Sequence, residues 1–140
     1  IEEIYGEEIV DAYERKVTSF ESIILINKGE NKFEIEKLPP LAQSIPILAS
    51  DTYDINEDGY EDVIVGGNIY NTEVETPRLD NQFALILVSD KDKNYSVIAP
   101  DKSGLYLSGN TKSLKIIDRK NPKLLVANNN SNLEVFELNK

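Results

Sequence analysis

The sequence contains no histidine, cysteine, methionine or tryptophan. Without histidine or cysteine, no Ser-His-Asp or Cys-His nucleophile can be assembled, which leaves only Ser or Thr schemes with a lysine base. The same two absences remove the ligands that zinc and copper favour, so a metal would have to be held by oxygen. No disulfide framework can form, and cysteine gives no clue to redox compartment. Positive charge is also scarce: 15 basic residues face 25 acidic ones, a formal net charge of −10. Such a chain repels phosphate backbones and anionic lipid, which argues against nucleic-acid binding. No apolar run approaches the roughly 18 residues needed to span a bilayer, so membrane insertion is not expected, and Ile23 to Ile26 reads as a short buried strand. A glycine-rich phosphate loop is missing as well. The lack of methionine, in a chain that opens at Ile1 with no signal-peptide pattern, is what a processed product or an excised piece would show.

What is present concentrates in one segment. Asp54-Ile55-Asn56-Glu57-Asp58-Gly59-Tyr60-Glu61-Asp62 carries oxygen-bearing side chains at alternate positions and runs directly into Val63-Ile64-Val65-Gly66-Gly67. Calcium is a hard cation that takes about six to eight oxygens, so a short loop must wrap several carboxylates, an amide and a main-chain carbonyl around one point. Asp54, Asn56 and Asp58 can supply side-chain oxygens, Gly59 permits a positive φ, the Tyr60 carbonyl can turn inward, and Asp62 closes the shell. Three carboxylates suit calcium better than magnesium.

The spacing separates this loop from an EF-hand. Counted from Asp54, the position where an EF-hand needs its bidentate glutamate is Val65, within a β-branched run that reads as strand. The competing reading is an acidic surface turn, since Asp, Asn and Gly are ordinary turn formers. Four oxygen ligands in register with the glycine favour the metal.

The pattern DxNxDGYxD followed by an apolar strand and Gly-Gly resembles the FG-GAP or VCBS repeat, the calcium-bearing blade unit of integrin-type β-propellers. Asn27-Lys28-Gly29-Glu30-Asn31-Lys32-Phe33 is similar to the NxGxGxF hairpin of those repeats, with Glu30 in place of the second glycine. Leu38 to Gln43, Gly66 to Asp80 and Val126 to Asn130 look like the C-terminal end of large bacterial VCBS-repeat proteins related to the ASPIC/UnbV group. The resemblance implies an all-β fold, here a partial β-propeller of about two four-stranded antiparallel blades, in a secreted or surface-attached bacterial protein. It also implies partners: the remaining blades of a larger propeller or another protein chain.

Internal similarity agrees with a repeated unit. Ser22 to Ile35 can be laid over Ala84 to Val97 without a gap, and Asp62 to Gly66 over Lys123 to Ala127. With 140 residues and 40% hydrophobic content the chain can bury one core, so a single unit is expected. Ile1, Ile4, Tyr5, Ile9, Tyr13 and Val17 fall near helical spacing, which predicts an amphipathic helix over 1–17 despite Gly6, within an N-terminal helix and linker of 1–20. Nine strands are expected near 21–27, 32–38, 46–53, 62–66, 82–89, 94–99, 113–118, 123–127 and 132–138. The blade reading makes 21–38 the outer hairpin of one blade, 46–99 a complete blade with the calcium loop, and 113–138 a last blade. In that last unit Asp118 can be laid on Asp54, but Arg119, Lys120 and Asn121-Pro122 put cations and a shortened loop where ligands should be. One calcium ion per chain is therefore expected.

The insertion from Asn68 to Asp80 supplies the other candidates. Tyr70, Glu75 and Arg78 are candidate ligand contacts, with Arg78 more readily an ion pair that orders the loop. Glu73 and Glu75 beside a tyrosine raise the question of glycosidic chemistry, but alternate loop residues rarely place carboxylates across a sugar ring. Tyr60, Tyr70 and Tyr106 could stack on a sugar, whereas Phe33, Phe83, Tyr95 and Phe136 fit strand patterns. The expected function is a non-catalytic, calcium-stabilised extracellular binding or adhesion module that contacts a protein or glycan. A purely structural segment of a larger propeller comes second, and an accessory domain of a polysaccharide-active enzyme third.

Overall fold

A computed structural model describes residues 2–6 and 12–138. It is mostly β, with three antiparallel sheets in chain order. The first sheet holds β1 (Ile23–Asn27) and β2 (Phe33–Lys37). The central sheet holds β3 (Ala49–Tyr53), β4 (Asp62–Gly66), β5 (Ala84–Ser89) and β6 (Tyr95–Ile98), in that order. The last sheet holds β7 (Thr111–Ile117), β8 (Lys123–Asn128) and β9 (Glu134–Glu137). Among the described residues the sheets do not close into a ring or barrel.

The central sheet is covered on both faces, and its sequence says why. β4 and β5 read as continuous apolar runs, as strands buried from two sides do. Period-two alternation then sends successive side chains to opposite neighbours. Val65, Leu85 and Leu87 pack with Leu38, Ala42 and Ile45, against which Ile24 of the first sheet also lies. Ile64, Ala84 and Ile86 pack instead with Leu105, Leu107, Leu114, Ile116, Leu124 and Val126 toward the last sheet. Ile64, Leu85, Leu87, Leu107 and Leu124 are fully buried; each such side chain stabilises the fold by about 1.5–3 kcal/mol. Gly67 is fixed by close approach, since a Cβ there would lie 2.8 Å from the Leu48 nitrogen and the Pro46 carbonyl oxygen.

Strand ends depart from the expected ones by up to about three residues, the usual uncertainty at element ends. The helix differs more. Among the described residues of the expected segment only Glu2–Tyr5 is α-helical (α1), and residues 12–20 form neither helix nor strand; residues 1 and 7–11, with Ile1 and Ile9, lie outside the described residues. Gly6 follows α1 with φ 58°, a left-handed conformation that ends helices rather than continuing them. Two one-turn helices were not expected: α2 (Pro40–Gln43) and α3 (Pro100–Ser103) each begin on a proline, whose fixed φ and missing N–H suit a first helical position. No helix among the described residues is long and apolar enough to cross a membrane.

Candidate metal centre

The segment 54–62 links β3 to β4 at one end of the central sheet, where Tyr53 pairs with Asp62. Two residues turn it through left-handed backbone, Glu57 at φ 59° and Gly59 at φ 90°, a conformation open to glycine and costly for most side chains. The turns are held by side-chain oxygens. Asp54 accepts the N–H of Asp58 (3.1 Å) and of Gly59 (2.9 Å), Asn56 Oδ1 accepts the Asp58 N–H (3.1 Å), and Asp58 accepts the Tyr60 N–H (2.9 Å). Asn56 Nδ2 donates to Asp58 Oδ2 at 2.9 Å, which brings these two side chains together.

Asp62 differs from the other ligand candidates because it is wholly buried. Its Oδ2 accepts the Ile55 N–H at 3.0 Å and its Oδ1 the Ser89 N–H at 2.9 Å. One carboxylate thus joins the start of the loop to the end of β5, and the Ser89 hydroxyl completes the junction by donating to the Glu61 carbonyl at 3.0 Å. A carboxylate oxygen that accepts one N–H keeps further acceptor capacity. The donors Asp54, Asn56, Asp58, Asp62 and the Tyr60 carbonyl are all hard oxygens, so the set fits a calcium ion chemically. Among the described residues no three Asp, Glu, His or Cys side chains form a ready-made metal group; an amide and a main-chain carbonyl are not side chains of that kind. The Tyr60 ring faces the Lys93 ammonium at 5.8 Å.

Sequence reasoning missed the residues that tie this end of the central sheet to the last sheet. Arg119, from the loop after β7, donates to Glu61 at 2.8 Å and to the Thr52 carbonyl at 3.1 Å. The Arg119 hydrogen bond is the main reason that the Glu61 carboxyl is held below its ordinary range, and the same bond raises the guanidinium further. Asp51, its side chain 13% exposed, accepts the Ile116 N–H and the Lys115 ammonium across the same interface. Burial works to raise the Asp51 pKa, but the Ile116 and Lys115 bonds outweigh it and leave it lowered. A lone aspartate on a strand, with no partner nearby in sequence, is the only signal that pointed to this role.

The three insertion candidates separate. Tyr70 and Arg78 come together, with the guanidinium 4.7 Å from the ring centre and 2.7 Å from Asp80. The Tyr70 hydroxyl is within 3.3 Å of Asp80 and 3.2 Å of the Ser108 carbonyl, and burial, then the Asp80 charge, raises its pKa. Glu75 is exposed and joins none of these contacts. Buried Asn68 anchors the insertion: its Nδ2 donates to the Gly109 carbonyl at 2.6 Å, its Oδ1 accepts the Asn81 N–H at 3.2 Å, and its carbonyl accepts Lys112 at 2.8 Å. Comparison with protein-family models, with curated proteins and with solved structures returned no match.

Proposed function

We propose that this chain is a calcium-stabilised, non-catalytic binding or adhesion module built from propeller-type blades of the FG-GAP/VCBS kind, working outside a bacterial cell. The observation that carries the reading is the loop 54–62: oxygen donors recur at alternate positions, two residues are left-handed, and Asp62 begins the most buried strand pair. An ion held by Asp54, Asn56, Asp58, the Tyr60 carbonyl and Asp62 would supply electrostatic cross-linking, and would neutralise carboxylates that otherwise repel one another. Two further observations support blade-like units. The sheets are antiparallel meanders, the central one with an apolar cluster on each face, and the β1–β2 and β5–β6 hairpins share one register. Loops of this type fill in the micromolar to millimolar range of calcium, and the weaker part of that range is met outside cells. Tyr70 and Arg78, with Glu75 nearby in sequence, are the residues proposed to meet a glycan or protein ligand.

Thermal denaturation with excess calcium and then with chelator tests the reading, repeated on Asp58→Ala. Calcium should raise the melting temperature of the parent chain and leave the variant unmoved; a parent indifferent to both additions removes the metal. A second reading, a structural segment that completes a larger propeller and touches no ligand itself, draws on the exposed apolar face of the first sheet. There Ile23, Leu25, Phe33 and Ile35 are all solvent-facing. A glycan array separates the two, since only the module retains a sugar and loses it on Arg78→Ala.

A further inference from the structure

The first sheet has two strands where the central sheet has four, and the hairpins of the two sheets can be compared position by position. Ile24↔Glu36, Leu25↔Ile35, Ile26↔Glu34 and Asn27↔Phe33 correspond to Ile86↔Ile98, Leu87↔Val97, Val88↔Ser96 and Ser89↔Tyr95. β5 has a second neighbour in β4, whereas β1 has none among the described residues. Residues of an antiparallel pair alternate between bonding the partner and facing away. The bonds from Leu38 N–H to the Ser22 carbonyl and from Lys28 N–H to the Lys32 carbonyl set the phase. Ile24 and Ile26 therefore bond β2, and the main-chain groups of Ile23, Leu25 and Asn27 face the open side. Their counterparts Leu85, Leu87 and Ser89 face β4, with the Ser89 N–H taken by Asp62.

Beside this open edge runs a mainly apolar groove of about 260 Å³, walled by Ile24, Leu38, Ile47, Val63 and Val65, with Ser22 and Ser50 also lining it. In the central sheet the matching place, opposite Ile86, is filled by the fully buried Ile64. Ile23 and Leu25 are exposed where Leu85 and Leu87 are fully buried. An unpaired edge, a groove beside it and exposed apolar side chains thus coincide on one strand.

We infer that β1 is a docking edge for an extended strand of another polypeptide, which adds antiparallel to it as β4 adds to β5. The correspondence specifies the strand's chemistry. It begins with a carboxylate that accepts the Asn27 N–H, as Asp62 accepts that of Ser89. It continues with apolar residues opposite Leu25 and Ile23, as Val63 and Val65 lie opposite Leu87 and Leu85. Between them, opposite Ile24, a further apolar side chain enters the groove, as Ile64 enters the core. A second folded copy keeps its own Asp62–Gly66 strand between β3 and β5, so that strand of a second copy does not fill the edge. The inference does not use the calcium reading, and a chelator leaves it standing.

The probe is a synthetic peptide with the sequence of residues 61–68, titrated in chelator onto the isotope-labelled full chain. The peptide should slow amide exchange at Ile23, Leu25 and Asn27 by about tenfold or more, while a peptide with aspartate in place of its Ile64 should not. Leu25→Pro removes an outward donor and no bond to β2, so it should abolish protection with the fold retained. If that variant fails to fold, Ile23→Lys/Leu25→Lys serves, since both positions are exposed. Unchanged exchange at millimolar peptide, equal protection by the aspartate peptide, or binding that survives the edge variants would overturn the inference. So would protection that arises without peptide as sedimentation shows a dimer, because the edge would then belong to a second copy.

Discussion

The segment 54–61 joins β3 to β4, and the segment 118–122 joins β7 to β8; each opens on an aspartate. In the first, Asp54, Asn56 and Asp58 between them accept the N–H groups of 58, 59 and 60. In the second, Asp118 accepts the N–H groups of Lys120 (3.3 Å) and Asn121 (3.4 Å). The residue that begins the following strand differs most. Asp62 is buried on two N–H donors, whereas Lys123 is partly exposed and reaches Glu137 at 3.5 Å. Similar strand pairs thus accept an oxygen-rich loop closed by a buried carboxylate, or a shorter cationic loop closed at the surface. The cationic loop also serves the acidic one, since Arg119 reaches across to Glu61 and the Thr52 carbonyl.

The sharpest way to break this contrast is to remove both closing residues. Asp62→Ala leaves the Ile55 and Ser89 N–H groups without their acceptor in a buried site, and should cost about 2–4 kcal/mol in urea denaturation. Lys123→Ala should stay within about 0.5 kcal/mol. Equal losses would mean that the buried carboxylate does not distinguish the loops.

The proposed calcium ion gives the next largest separation. At a free concentration of about 100 times the dissociation constant, mass action adds about 2.7 kcal/mol to the folded state, or about 8 °C in a chain of this size. Asp58→Ala should lose that increment and Asp118→Ala should keep it, as read by calorimetry with calcium and with chelator. A calcium response that vanishes in Asp118→Ala instead would move the ion to the wrong loop.

Asp51 tests the bridge between the two units rather than either loop. Asp51→Ala strands the Ile116 N–H at the interface of β3 with β7 and frees Lys115, and should cost about 1–2 kcal/mol. Lys115→Ala, which removes only an exposed ammonium, should cost less than half as much. The two values from denaturant midpoints should differ even in high salt, because the main-chain bond is not screened.

How much of this was legible in the sequence follows from which interactions are local. Strands were legible where alternation was clean or where both faces are buried, as in Val63-Ile64-Val65 and Ala84-Leu85-Ile86-Leu87. The turns at Gly29 and Gly59 were legible because glycine is needed for their backbone. The helix over 1–17 was over-read: apolar spacing pointed to it, and Gly6 at φ 58° outweighs that spacing at the end of α1. The prolines of α2 and α3 were visible, but one turn of helix has too few positions to show a period. In the loop, ligand-type residues could be named from spacing. Ser89, Asp51 and Arg119 could not, because their partners lie far away in the chain and only the stacking of sheets brings them together.

The smallest effect concerns the contact between the two loops, and pH resolves it. Arg119 and Glu61 are both at least half exposed, so Arg119→Ala should cost no more than about 1 kcal/mol at neutral pH. Glu61 titrates below its ordinary value of 4.5 when folded, chiefly through its bond with Arg119. A lowered carboxyl pKa means that the unfolded chain takes up the proton first as pH falls. The stabilisation is therefore complete above the ordinary value, declines below it, and is gone once pH drops through the folded value. The gap between parent and Arg119→Ala, read from urea midpoints at successive pH values, should close over that interval. Asp51 is also lowered from its ordinary value of 3.8; its charge bears on Arg119 and Glu61, so only the part of its acid limb set by Ile116 and Lys115 cancels in the difference. A gap that stays constant into strong acid would show that Arg119 acts through its bond to the Thr52 carbonyl, and that the cationic loop holds the central sheet by its backbone rather than by charge.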